Sequence, residues 1–179
     1  MKTKIVITVF ALLSCFFYAC EDSNYPDGLP EYENFYYAGF LPWNNTKVSV
    51  NKSQTALIKL PVQFHSEFIR SYDVDVKYFL RSTGIASPAV VGVDFEIVDK
   101  AGNKVQGTDG IYTLHFPQAK KGVDTIYVKP LNNPVAGTRT INIDLCAGED
   151  VTVSRINNQT NDYTVSSFSQ AYRRPIELK

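Results

Sequence analysis

The sequence predicts an all-β fold, an antiparallel sandwich of about eight or nine strands. Three observations carry that prediction. Between Val91 and Leu145, successive blocks alternate apolar and polar residues at period two: VGVDFEIV, GIYTLHFP, DTIYVKPLNN and GTRTINIDL. Gly, Pro, Asn or Asp closes each block, as expected for consecutive half-buried strands joined by turns. No segment sustains the 3.6-residue period of an amphipathic helix.

Composition sets the frame. At 179 residues the chain has room for one domain with a real core. Apolar residues at 44% and charged residues at 20% are those of an ordinary globular domain. Eighteen basic residues balance eighteen acidic ones, and without Lys2 and Lys4 sixteen face eighteen. That balance argues against a nucleic-acid partner, which rewards clustered Lys and Arg.

Residues 1–19 read as a targeting segment. Lys2 and Lys4 form a short positive start, and Ile5 to Ala19 is uncharged and apolar. That run is shorter than the roughly 20 residues a membrane-spanning helix needs. It ends in Phe17-Tyr18-Ala19-Cys20, followed by Glu21-Asp22-Ser23-Asn24. This resembles a bacterial lipobox, in which Cys20 becomes the lipidated first residue. Leu12-Leu13-Ser14-Cys15 fits the short pattern better, but cutting there would strand Phe16, Phe17 and Tyr18 on the mature chain. Cys20 is therefore preferred, with an ordinary signal peptide and a free Cys20 as the alternative. Cys146 is then alone, a free thiol at a strand end on the polar parity, and no disulfide is expected. Residues 20–33, acidic and bearing Pro and Gly, are expected to be a flexible tether, and 34–179 a single sandwich domain.

The strands follow in order. Phe35 to Phe40 is a short first strand and Leu41 to Asn45 a turn, followed by Thr46 to Val50. Gln54 to His65 alternates most clearly, with Ala56, Ile58, Leu60, Val62 and Phe64 on one face. Pro61 donates nothing to a ladder, so this strand is expected at an edge or at a bulge. Tyr72 to Leu80, Val90 to Val98, Ile111 to Phe116, Thr125 to Pro130 and Thr138 to Leu145 continue the series. Ser82–Ala89 and 157–161 read as loops, Val151–Val153 as a short strand, and Tyr163 to Leu178 as material for one last strand.

The order of these motifs carries a resemblance. Gly92-Val93-Asp94-Phe95, Leu114-His115-Phe116-Pro117, Thr125-Ile126-Tyr127-Val128, Leu131-Asn132-Asn133 and Thr140 to Leu145 resemble a Calx-β domain over about Ala56 to Leu145. The resemblance implies an immunoglobulin-like sandwich. With the lipobox, the whole chain is similar to small Bacteroidetes lipoproteins of unknown function that accompany outer-membrane glycan-uptake machinery. That implies an outer-membrane lipoprotein, on the cell surface or on its periplasmic face. It also implies calcium, which needs six to eight oxygens and several carboxylates. Asn132-Asn133 stand where the family carries aspartates, and Ala136-Gly137-Thr138 where it carries glutamates, so Asp94 is left alone and no metal site is expected.

Candidate ligand contacts lie near the start of the domain. Sugars are held by aromatic platforms flanked by amides. Tyr32, Phe35, Tyr36, Tyr37, Phe40 and Trp43 crowd into one stretch, with Asn44 and Asn45 adjacent. Trp43, the only tryptophan, sits in a turn-like context. Trp43, Tyr36 and Asn44 are the candidate contacts, against the alternative that Phe35, Tyr37 and their face are core. Catalysis has little support. His65 and His115 fall at outward parity, Asp73 and Asp75 share an exposed strand face, and Arg173-Arg174 reads as a solvated strand end. No nucleophile elbow, zinc helix or phosphate loop is present. No catalytic residue and no cofactor are expected. The sequence thus points to a non-enzymatic binding or accessory component held at the membrane by its lipid. Its partner is a polysaccharide or an outer-membrane protein. The alternative is a structural or adhesion module that contacts protein through the Gln54–His65 edge or the aromatic patch.

Overall fold

The computed structural model describes residues 34–108, 110–146, 155–159 and 163–179, of which 155–159 in backbone only. The targeting segment, Cys20, the tether, Tyr32 and Val151–Val153 lie outside the described residues. Among the described residues eleven strands form two sheets, an all-β sandwich with two or three more strands than predicted.

The six-stranded sheet runs β5 (Phe95–Val98), β7 (Gly122–Pro130), β3 (Ile58–His65), β1 (Phe35–Phe40), β10 (Thr164–Phe168), β9 (Arg155–Gln159). The five-stranded sheet runs β2 (Val48–Val50), β11 (Arg173–Leu178), β8 (Arg139–Leu145), β4 (Val74–Arg81), β6 (Ile111–Phe116). Among the described residues the one helix-like segment is a tight turn at Pro117–Ala119, in which Gln118 (φ 55°) and Ala119 (φ 49°) are left-handed.

Period two does what it predicts wherever one face meets the core. Tyr112, Leu114 and Phe116 of β6, Ile126 and Val128 of β7, and Ile141, Ile143 and Leu145 of β8 are all buried. Burying each such side chain contributes roughly 1.5–3 kcal/mol, so the inner faces decide the register. Phe64 of β3 and Phe116 of β6 stack across the two sheets with ring centroids 4.6 Å apart.

Several expectations need correction. The sheets are mixed, because β1 runs parallel to β10 and β2 parallel to β11. The N-terminal segment supplies β1 to one sheet and β2 to the other, and the C-terminal segment likewise supplies β10 and β11, two strands where one was expected. β3 is interior, flanked by β7 and β1, not an edge. Pro61 is tolerated there because its carbonyl side faces β1 just past the last β1 residue. Its oxygen accepts from Leu41 N at 2.9 Å, and the absent N–H falls where the ladder has ended.

Val90 to Asp94 is a turn, not strand. Gly92 takes φ 80°, Asp94 N donates to Val90 O at 2.8 Å, and Val90 N donates to the Asp94 carboxylate at 2.8 Å. Part of the predicted 157–161 loop is β9. Cys146 is buried, against its outward parity, because φ 56° turns it back under the sheet.

Candidate ligand-binding surface

The outer face of the six-stranded sheet carries an aromatic patch. In β1, Ala38 pairs with Phe64 and Phe40 with Val62, so the even residues follow those two inward. Tyr36 is therefore core, 3% exposed, and this corrects its assignment as a ligand contact. Its hydroxyl bonds that of Tyr72 at 2.6 Å, and Tyr72 donates onward to Asn34 Oδ1 at 2.7 Å. Both faces of F-Y-Y-A-G-F bear aromatics, so parity alone does not say which face is buried.

The odd residues of β1 face outward. Tyr37 stacks on Phe168 of β10, with centroids 4.9 Å apart and planes 4° from parallel. One position along, Gly39 leaves room for Trp43 to fold back over β1, where a Cβ would stand 2.6 Å from the indole Cζ3. The Trp43 ring is 6.0 Å from Phe168 and 6.1 Å from His65. Its Nε1 donates to Gln63 Oε1 at 2.9 Å. Gly39 pairs with Gln63, and Gln63 with Val123, so the strip from Phe168 through Trp43 and Gln63 to Val123 crosses four strands. Three inter-strand spacings make it about 14 Å long. Trp43 is half-buried, while Phe168 is 37% and Val123 56% exposed.

The turn that holds Trp43 is fixed by β11. Arg174, only 3% exposed, donates to Pro42 O (3.0 Å), Thr46 O (2.8 Å) and Asn44 Oδ1 (3.1 Å). Its guanidinium lies 5.2 Å over the Phe40 ring, and burial lowers its pKa. Asn44 Oδ1 also accepts from Thr46 N at 3.0 Å, so that oxygen serves the turn. Asn45 bonds Ser169 O at 2.6 Å and accepts from Arg173 N at 3.1 Å. Arg173 makes a two-pronged pair with the buried Asp144, both contacts at 2.7 Å, and Asp144 also meets Arg81 at 3.1 Å. The Arg173-Arg174 pair is thus a structural anchor, not a solvated strand end.

The remaining candidates sit elsewhere. His115 Nδ1 lies 2.9 Å from Asp75 and Nε2 lies 3.2 Å from Asp73, on the exposed face of β4 and β6. The bond to Asp75 is the main cause that raises the His115 pKa. The sequence put these three at outward parity but did not show that they meet. Asp94 is 2% exposed and bonded by Val90 N and, at 2.7 Å, by Asn133 Nδ2. An amide N–H thus satisfies the carboxylate where the resemblance implied a shared cation. Among the described residues no group of three or more His, Cys, Asp or Glu side chains is disposed to hold a metal ion. Burial pushes the Cys146 thiol far above the ordinary range.

The class defined by these features is a two-sheet β-sandwich with an aromatic outer face. No family model matches the chain, and no curated protein matches it. Among solved structures it is similar to the apo-form Calx CBD1 domain, at 16% identity and TM-score 0.42, over 75% of this chain and 96% of that one. It is also similar to the calcium binding domain CBD12 of CALX1.1, at 15% identity and TM-score 0.39, over 73% of this chain and 44% of that one. CBD12 from CALX1.2 gives 16% identity and TM-score 0.41, over 74% and 44%.

Proposed function

We propose that this chain is a non-enzymatic lipoprotein, anchored in the outer membrane through Cys20, that binds a glycan chain on the outer face of its six-stranded sheet. In this reading it is an accessory component of a glycan-acquisition system. The observation that carries the proposal is the strip formed by Phe168, Tyr37 and Trp43, bordered by Gln63 and His65. Pyranose rings present C–H faces that stack on such side chains, while amide and imidazole groups accept or donate to their hydroxyls. The backbone beneath is interior sheet, which holds the platform in place. In support of a non-enzymatic role, the Cys146 thiol is buried, and His65 and His115 lie on exposed strand faces.

Native affinity electrophoresis of the unlipidated chain in gels containing xylan, pectin or mucin glycans tests this. Retardation by one polysaccharide, lost in Trp43→Ala and Tyr37→Ala while both retain the far-ultraviolet spectrum, supports it. Retardation untouched by either change would move the site elsewhere. Co-purification with an outer-membrane protein and no retardation would favour the second reading, contact with protein through the same apolar strip.

A further inference from the structure

We infer that the end of the sandwich where the chain enters at Asn34 is a membrane-resting surface, with Phe68 and Ile69 as the side chains that enter the lipid interface. The inference rests on the anchoring of Cys20 proposed above. Ile69 is 63% and Phe68 40% exposed, adjacent residues in a polar loop where neither fills any core. The loop is pinned: Ser66 Oγ donates to Phe68 O at 2.7 Å, Arg70 N donates to Gln118 O at 2.8 Å, and the Arg70 guanidinium lies 5.3 Å over the Phe68 ring. Pinning keeps two apolar side chains presented outward, and a presented apolar pair is what an interface-resting loop needs.

The position of the incoming chain selects the lipid surface over other occupants. Asn34, the first described residue, accepts the hydrogen bond from Tyr72 at 2.7 Å, so the tether enters at the end that holds the 66–72 loop. Phe68 lies four residues from Tyr72, within about 14 Å of it. Thirteen residues lie between Cys20 and Asn34, and the stretch reaches no farther than about 50 Å. A lipid at Cys20 therefore keeps the domain at high local concentration over the bilayer, with this end nearest the point of attachment, and a weak contact suffices.

Charge at this end is mixed. Lys120, Lys121 and Arg70 stand with Glu67 and Asp124, while Asp73 and Asp75 face His115. The contact is therefore made by apolar side chains and does not require anionic lipid, unlike a polybasic patch. The opposite end, at Val93, lies beyond the far end of β7, about 27 Å away along the strand.

The test uses the full chain, lipidated in a bacterial host and reconstituted into phosphatidylethanolamine/phosphatidylglycerol vesicles carrying brominated acyl chains. Single tryptophans are placed by Phe68→Trp or Val93→Trp in a Trp43→Phe background. The expected result is a blue-shifted emission and severalfold stronger bromine quenching for Phe68→Trp than for Val93→Trp, unchanged in high salt. Equal quenching of the two, with Cys20 shown by mass to carry lipid, would overturn the inference and leave the anchoring intact. Quenching that vanishes in high salt would overturn its apolar basis. A Cys20 without lipid would overturn both. Should Phe68→Trp misfold, slowed amide exchange at residues 67–70 on vesicles, absent in Ile69→Ser, reads the same contact.

Discussion

The benzo edge of Trp43 covers Gly39 so closely that a Cβ on residue 39 would meet Cζ3 at 2.6 Å, Cε3 at 3.0 Å and Cη2 at 3.1 Å. The glycine is required here by the approach of a ring, not by its own backbone angles. Gly39→Ala is expected to lift the indole from the sheet and break its bond to Gln63. The overpacking should cost about 1–3 kcal/mol in urea unfolding. Glycan affinity should fall about tenfold or more, a loss of roughly 1.4 kcal/mol. An unchanged Trp43 emission maximum in the variant would show that the ring does not rest on Gly39.

Asp144 is 1% exposed and held between Arg173 and Arg81. Removing it leaves two partly exposed guanidinium groups, 24% and 17% exposed, without their shared carboxylate. Asp144→Ala is expected to lose about 1.5–3 kcal/mol, the range for hydrogen bonds to a charged group. A loss below about 1 kcal/mol would place the pair among ordinary surface contacts.

His115 predicts a small pH dependence. Its pKa is raised in the folded state, chiefly by Asp75 and then by Asp73. The contribution is therefore complete below the unfolded value of about 6.5 and is lost as pH rises through the folded value. With its side chain 57% exposed, screening limits it to roughly 0.2–1 kcal/mol. Wild-type stability should fall relative to His115→Gln between mildly acidic and alkaline pH. A wild-type curve parallel to the variant's would refute the linkage.

Cys146 is expected to be inert. It is 1% exposed, and desolvation disfavours its thiolate. Aromatic-disulfide reagents should label it only after unfolding, at a rate that follows global opening in urea. Rapid stoichiometric labelling of the native unlipidated Cys20→Ser chain would contradict its buried position.

What the sequence disclosed follows from where one physical cause dominates. β6, β7 and β8 are legible because each presents one face to the core, so Leu114, Val128 and Ile143 repeat at period two. β1 is not, because Phe35 and Tyr37 on one side and Tyr36 and Phe40 on the other are equally apolar. Only pairing with Phe64 and Val62 decides between them. Pro61 suggested an edge because a missing donor is visible in sequence, whereas the end of the neighbouring strand is not. The site was half legible. Trp43 stood out by its turn context, but its partners Tyr37, Gln63 and Phe168 are assembled by β1, β3 and β10, which are distant along the chain. The roles of Arg173 and Arg174 were hidden for the same reason, since their partners lie in β8 and the 41–47 turn.

The emission of Trp43 is the most direct reporter of the central claim, because it is the only tryptophan in the chain. Titrating the unlipidated chain with oligosaccharides cut from the retarding polysaccharide should give a saturable emission change. The apparent affinity should match that from electrophoresis and should drop at least tenfold in Phe168→Ala. Tight binding with no change in Trp43 emission, and with full affinity in Phe168→Ala, would contradict the aromatic strip as the glycan site.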